Sequence, residues 1–114
     1  MNTELIVKEL NKQTFSIMLG ENLFGGNEAL TFSSKINELC NNNAKNIIVD
    51  LNQVKMINSS GIGMLVGGLT TSKKNNASLI LVGLSDKIKS LLQMTHLDQV
   101  FATFDSIDDA LKSI

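Results

Sequence analysis

Asn58-Ser59-Ser60-Gly61-Ile62-Gly63 separates two apolar patterns of different period, and that change of period decides the fold class. Before it, Ile47-Ile48-Val49-Asp50-Leu51 is a short apolar run of the kind that forms a buried strand. After it, Ile62, Leu65, Val66 and Leu69 recur at helical spacing and predict one inward face of a helix from Ser60 to about Lys74. The six residues between them therefore form a strand-to-helix loop at the edge of a sheet, where α/β proteins place their chemistry. Asn and Ser at this point are good helix caps, because their oxygens accept from first-turn amides. The same place also suits a modifiable serine. Unpaired N–H groups and the positive end of the helix dipole could receive a phosphate carrying roughly 1.5 to 2 negative charges.

Working outward, Leu5 to Val7 opens a strand, and Phe15, Ile17 and Leu19 alternate with Thr14, Ser16 and Met18. The polar Asn11-Lys12 between them predicts an antiparallel hairpin. Gly20 to Asn27 is a loop by its glycines, after which Ala29, Phe32, Ile36, Leu39 and Cys40 mark one side of a helix ended by Asn41-Asn42-Asn43. Downstream, strand and helix alternate over Leu79 to Val82, Ser85 to about Met94, Val100 to Phe104 and Ser106 to Ile114. Ser85 and Asp105 are the expected caps of the last two helices. Their inner faces are Ile88, Leu91 and Leu92, then Ile107, Ala110, Leu111 and Ile114. Such alternation predicts parallel strands joined by helical crossovers. The expected fold is α/β, a mixed, mostly parallel sheet of about five strands with an initial antiparallel hairpin and about four helices, in one domain over residues 1–114. Gly67-Gly68 inside the second helix costs about 1 kcal/mol per Gly. Close approach of a neighbouring helix or of a partner protein would offset it. Met64 falls off the inward stripe beside the serines and is expected to be an exposed apolar contact.

Composition narrows the function. The formal net charge is −1, from ten Lys, no Arg and eleven acidic residues dispersed along 114 positions. No basic face stands out in the sequence, and there is no Tyr or Trp for base stacking, so direct nucleic-acid binding is not expected. Cys40 is alone, which excludes an internal disulfide and suggests a buried structural thiol. His96 is the single histidine and cannot build a zinc site without companion ligands. Neither metal nor cofactor is expected. A secretory leader and an apolar run of spanning length are both missing from the pattern, so the expectation is a cytoplasmic chain with no membrane partner. Catalysis is not expected either. No Gly-x-Ser-x-Gly elbow surrounds Ser59 and no phosphate-loop motif is present, while Gly61-Ile62-Gly63 alone is a weak nucleotide signal. Asp50 at the strand end could hold magnesium in a nucleotide enzyme, although an Asp that turns the chain is commoner.

Asp50-Leu51, Val54, Ile57 to Gly63, Leu79 to Gly83, Leu91-Leu92 and Thr95-His96-Leu97 together resemble the STAS family, the sulfate transporter and anti-sigma factor antagonist domain. The likeness spans nearly the whole chain and is nearest to the free-standing anti-sigma factor antagonists. It implies the same order of elements, and it implies a phosphoprotein that regulates transcription by partner switching. In that family the first serine of an Asp-Ser-Ser-Gly or Asp-Ser-Thr-Gly motif is phosphorylated, which by the motif match is Ser59; Asn58 stands where the family has Asp. The implied partner is an anti-sigma factor serine kinase, with a phosphoserine phosphatase as a further candidate. The implied partner-binding residues are Asn58, Ser59, Ser60, Gly61 and Met64, with Glu21 and Asn22 from the preceding loop. Two other readings stay open: a STAS subunit of a signalling or transport assembly that is not phosphorylated and, more remotely, a nucleotide-binding protein.

Overall fold

The computed structural model describes residues 5–114. In chain order the elements are β1 (Ile6–Asn11), β2 (Thr14–Met18), β3 (Asn22–Leu23), α1 (Asn27–Asn41), β4 (Asn46–Asp50), β5 (Met56–Ile57), α2 (Ser59–Lys74), β6 (Ser78–Val82), α3 (Asp86–Met94), β7 (Ala102–Phe104) and α4 (Ile107–Lys112). Five strands form a mixed sheet in the order β1-β2-β4-β6-β7. The β1–β2 hairpin is antiparallel, and β2, β4, β6 and β7 run parallel.

Each crossover moves one strand further in the same direction, so right-handed connections place successive helices on the same face. The core shows this arrangement. Phe32, Ile36 and Leu39 of α1, Leu65 and Leu69 of α2, and Ile88 and Leu92 of α3 pack with Ile17, Ile47, Val49, Leu79 and Leu81. The other face holds a smaller cluster, in which Ala110 of α4 meets Ile48, Ile80 and Val82. Both faces of β4 and β6 are thus covered, which is why these strands read as unbroken apolar runs rather than alternating ones. Gly68 explains half of the Gly67-Gly68 pair: a Cβ there would sit 2.6 Å from Cε2 of Phe32, so the glycine lets α1 and α2 close together. Gly67 has nothing within 4 Å of the same position.

Several boundaries differ from the sequence reading. β1 continues to Asn11, since it is an edge strand whose exposed Lys8 and Glu9 interrupt the apolar signal. Val100 and Phe101 lie in a turn, with the Val100 amide donating to the Leu97 carbonyl at 3.0 Å, and β7 begins only at Ala102. The cap of α4 is Ser106, whose Oγ accepts from the Asp109 amide at 3.1 Å, and not Asp105. Ile114 lies beyond α4 and is exposed. Cys40 is half-buried rather than fully enclosed, and that burial raises its thiol pKa above the ordinary value, which fits an inert role.

Candidate functional site

The site is assembled by backbone pairing that is too short to read from sequence. The loop from Gly20 to Asn27 contains β3, which pairs in parallel with β5: Asn22 lies opposite Met56 and Leu23 opposite Ile57. The Lys55 and Met56 amides donate to the Glu21 carbonyl at 2.8 and 3.1 Å, and the Asn58 amide donates to the Leu23 carbonyl at 3.3 Å. Two loops distant in sequence are thereby fastened side by side at the mouth of α2.

Asn58 is extended, with φ −120° and ψ −176°, and caps α2 by accepting from the Gly61 amide at 2.9 Å through Oδ1. The Ile62 amide donates to the Asn58 carbonyl at 3.0 Å, closing the first turn. Ser59 is therefore the first helical residue, one position earlier than the spacing predicted. Both Ser59 and Ser60 are exposed. Among the described residues, neither their hydroxyls nor their amides carry a hydrogen bond. The helix mouth thus presents two adjacent free N–H donors and two free hydroxyls, with the positive end of the α2 dipole behind them.

The preceding loop approaches closely. Gly25 has φ +83°, and a Cβ on it would stand 2.9 Å from the Ser60 Cβ, so only glycine suits both its backbone and its space. Gly26 follows with φ +66° and ψ −133° and leads into α1. On the outer rim, Lys55 and Glu21 are 3.8 Å apart and well exposed, a pairing worth little in water.

Of the residues expected to meet a partner, Glu21, Asn22, Asn58, Ser59 and Ser60 are brought together and exposed. Gly61 and Met64 are not at the surface. Met64 is only 6% exposed and belongs to the main core, which corrects the expectation of an exposed contact. A helix residue two positions after Ile62 and one before Leu65 still faces inward here, because α1 covers that flank of α2. Gly61 is buried against the Leu23 carbonyl. The apolar side chains that the surface does offer are Met56, 51% exposed, and Phe24, 45% exposed. Nothing in the spacing marked them, since β3 and β5 are two residues each.

Asp50 ends β4 as a turn-former: Oδ1 accepts from the Asn52 amide at 2.9 Å and from Asn52 Nδ2 at 2.7 Å. Among the described residues, no group of three or more His, Cys, Asp or Glu side chains is placed to hold a metal ion. No helix among them is long and apolar enough to cross a membrane.

The site is thus a capped, serine-bearing helix mouth on a five-stranded α/β scaffold. The STAS domain model matches residues 6–110, and the chain belongs to the STAS domain family. An anti-sigma-B factor antagonist of Listeria monocytogenes is 33% identical over 52 residues, 46% of either chain, so this match spans about half the length of each protein. A solved structure from Thermotoga maritima, provisionally named an anti-sigma factor antagonist, superposes with a TM-score of 0.82 at 22% identity, covering 96% of this chain and 93% of that one. The Bacillus cell fate determinant SpoIIAA, solved in its phosphorylated form, superposes with a TM-score of 0.74 at 17% identity over 96% and 98% of the two chains. These relatives are named for a regulatory role and not for an enzymatic one.

Proposed function

We propose that residues 1–114 act as one cytoplasmic STAS domain, an anti-sigma factor antagonist that works by partner switching. The unphosphorylated chain binds an anti-sigma serine kinase through Glu21, Asn22 and Asn58 to Ser60, with Phe24 and Met56 as apolar contacts, and so frees a sigma factor. The kinase supplies ATP and catalysis, and this chain is its ligand and substrate. Phosphorylation of Ser59 releases the kinase; a phosphoserine phosphatase restores the binding form.

The observation that carries this reading is the exposed, unpartnered Ser59 hydroxyl at the first position of α2, beside the free Ser59 and Ser60 amides. A phosphate there meets N–H donors and a favourable dipole, so the free protein tolerates it. In the complex the same group carries roughly two negative charges into a desolvated interface. Unmet hydration and like charge there cost several kcal/mol, and each 1.4 kcal/mol weakens binding about tenfold. SpoIIAA has been solved both unphosphorylated and phosphorylated, which supports a fold able to carry the modification.

The test is to co-purify the native chain with its kinase and titrate that kinase with three variants. Ser59→Ala should bind constitutively, Ser59→Asp should bind poorly at nearly the same melting temperature, and Ser60→Ala should still be phosphorylated. Equal affinities of the Ala and Asp forms at position 59, or phosphate found only on Ser60 by mass spectrometry, would reject the switch. Co-purification of transporter or ATPase subunits in place of a kinase would favour the unphosphorylated-subunit reading.

A further inference from the structure

A second candidate surface lies at the end of the sheet remote from Ser59. β2, β4 and β6 begin in register at Thr14, Asn46 and Ser78, and α2 delivers its C-terminus to that level. There a hollow of about 420 Å³ opens beside β7, lined by Leu69, Leu79, Ile80, Val100, Phe104 and Ile114, with Lys73 and Ser113 also bordering it. Val100 and Ile114 are 44% and 54% exposed, so the fold leaves two large apolar side chains in water at this one place.

Two features say what fits. First, β7 ends the sheet order: one of its edges pairs with β6, and among the described residues no strand pairs with the other. An unpaired strand edge offers N–H and C=O groups to an added strand, and an adjacent hollow can take that strand's alternate side chains. Second, lysines gather at the near end of this edge. Lys73 and Lys74 end α2 and Lys112 ends α4, next to the Ser113 and Ile114 that line the hollow. Asp105, Asp108 and Asp109 lie past the far end of β7 and in the first turn of α4, and the exposed Asp98, two residues before Val100, is the acidic exception at the near end. No acidic residue lines the hollow itself. The dispersal of lysines along the sequence conceals this grouping, which only the parallel topology creates.

We infer that the free edge of β7 and its hollow receive an extended segment of a partner protein that is apolar at alternate positions and acidic at one end. That acidic end points toward Lys73, Lys74 and Lys112. A strand edge needs a partner with backbone donors and acceptors of its own, which a lipid surface lacks. A nucleic-acid backbone could meet the lysines but would gain nothing from an apolar hollow or an unpaired strand edge. The surface is at the opposite end of the sheet from Ser59, so the inference does not depend on the phosphorylation reading.

A displayed library of random peptides of about ten residues, long enough for strand addition, tests it. The library is selected on the wild-type chain alone, and the enriched peptides are then titrated against the Lys73→Glu/Lys112→Glu double variant. Enriched peptides should carry apolar residues at alternate positions with Asp or Glu at one end, and bind the double variant at least about tenfold more weakly, as for lost charge contacts. They should bind Val100→Asp similarly weakly and slow amide exchange in Ala102–Phe104. Lys73→Gln, with circular dichroism on every variant, separates lost binding from lost folding. The inference is overturned if no peptide is enriched, if enriched peptides lack acidic residues, or if their amide perturbations fall away from β7. It is equally overturned if this end binds phosphatidylglycerol vesicles or polyuridine RNA and no peptide.

Discussion

Gly61 holds the site's geometry more firmly than either serine. A Cβ on it would overlap the Leu23 carbonyl oxygen and stand 2.8 Å from its carbonyl carbon, both rigid backbone atoms of β3. Its amide is also the one that Asn58 Oδ1 caps. Gly61→Ala should therefore push the first turn of α2 away from β3, lowering stability by about 1–3 kcal/mol as for overpacking at a buried site. Urea unfolding of the variant checks this; a midpoint within experimental error of wild type would mean that the helix mouth is free to shift. The sequence made part of this legible. Asn followed by Ser-Ser-Gly announced a cap and a helix start, and both are present, but Ser59 rather than Ser60 opens the helix. The role of Gly61 was not legible, because the carbonyl it faces belongs to a segment 38 residues earlier in the chain.

Among the elements, α2 shows how one sequence feature can have two causes. Gly68 is enforced by Phe32 of α1, whereas Gly67 faces open space. Gly67→Ala should gain about 0.5–1 kcal/mol, the helix-propensity difference at a site without steric conflict. Gly68→Ala should instead lose stability, because the Phe32 ring must move within a filled core. Thermal melts of the two variants should shift in opposite directions; shifts of the same sign would show that α1 and α2 are not locked at this crossing. The long elements were readable because their apolar periods persist: α1, β4, α2, β6 and α3 all stand within a residue or two of expectation. The short ones were not. β3 and β5 have two residues each, too few for any period, yet their pairing sets the Glu21 loop beside Ser59. Met64 misled for a related reason. A helix covered on two flanks buries a wider arc than a single stripe implies, and the second flank, α1, enters only with the tertiary packing.

At the scale of the molecule, the fold is lopsided: among the described residues, three helices lie on one face of the sheet and α4 alone on the other. The six residues of α4 are too few to be helical alone in water, so its stability rests on the Ser106 cap and on Ala110 against Ile48, Ile80 and Val82. Ala110 is fully enclosed. An aspartate there would lie among Ile48, Ile80 and Val82, and must either stay buried in that apolar cluster or lift α4 away. Ala110→Asp should detach α4 at a cost of about 2–4 kcal/mol, the range for burying an unpaired charge. It should uncover the apolar surface of β4 and β6 to a hydrophobic dye. The face that carries α1, α2 and α3 does not use α4, so the helix mouth at Ser59 should survive at low temperature. Native-state hydrogen exchange distinguishes the outcomes. Fast exchange confined to Ile107–Lys112, with the β4 amides still protected, is the expected result. Parallel loss of protection in β4 would show that the two faces unfold as a single cooperative unit and that α4 is required for the site.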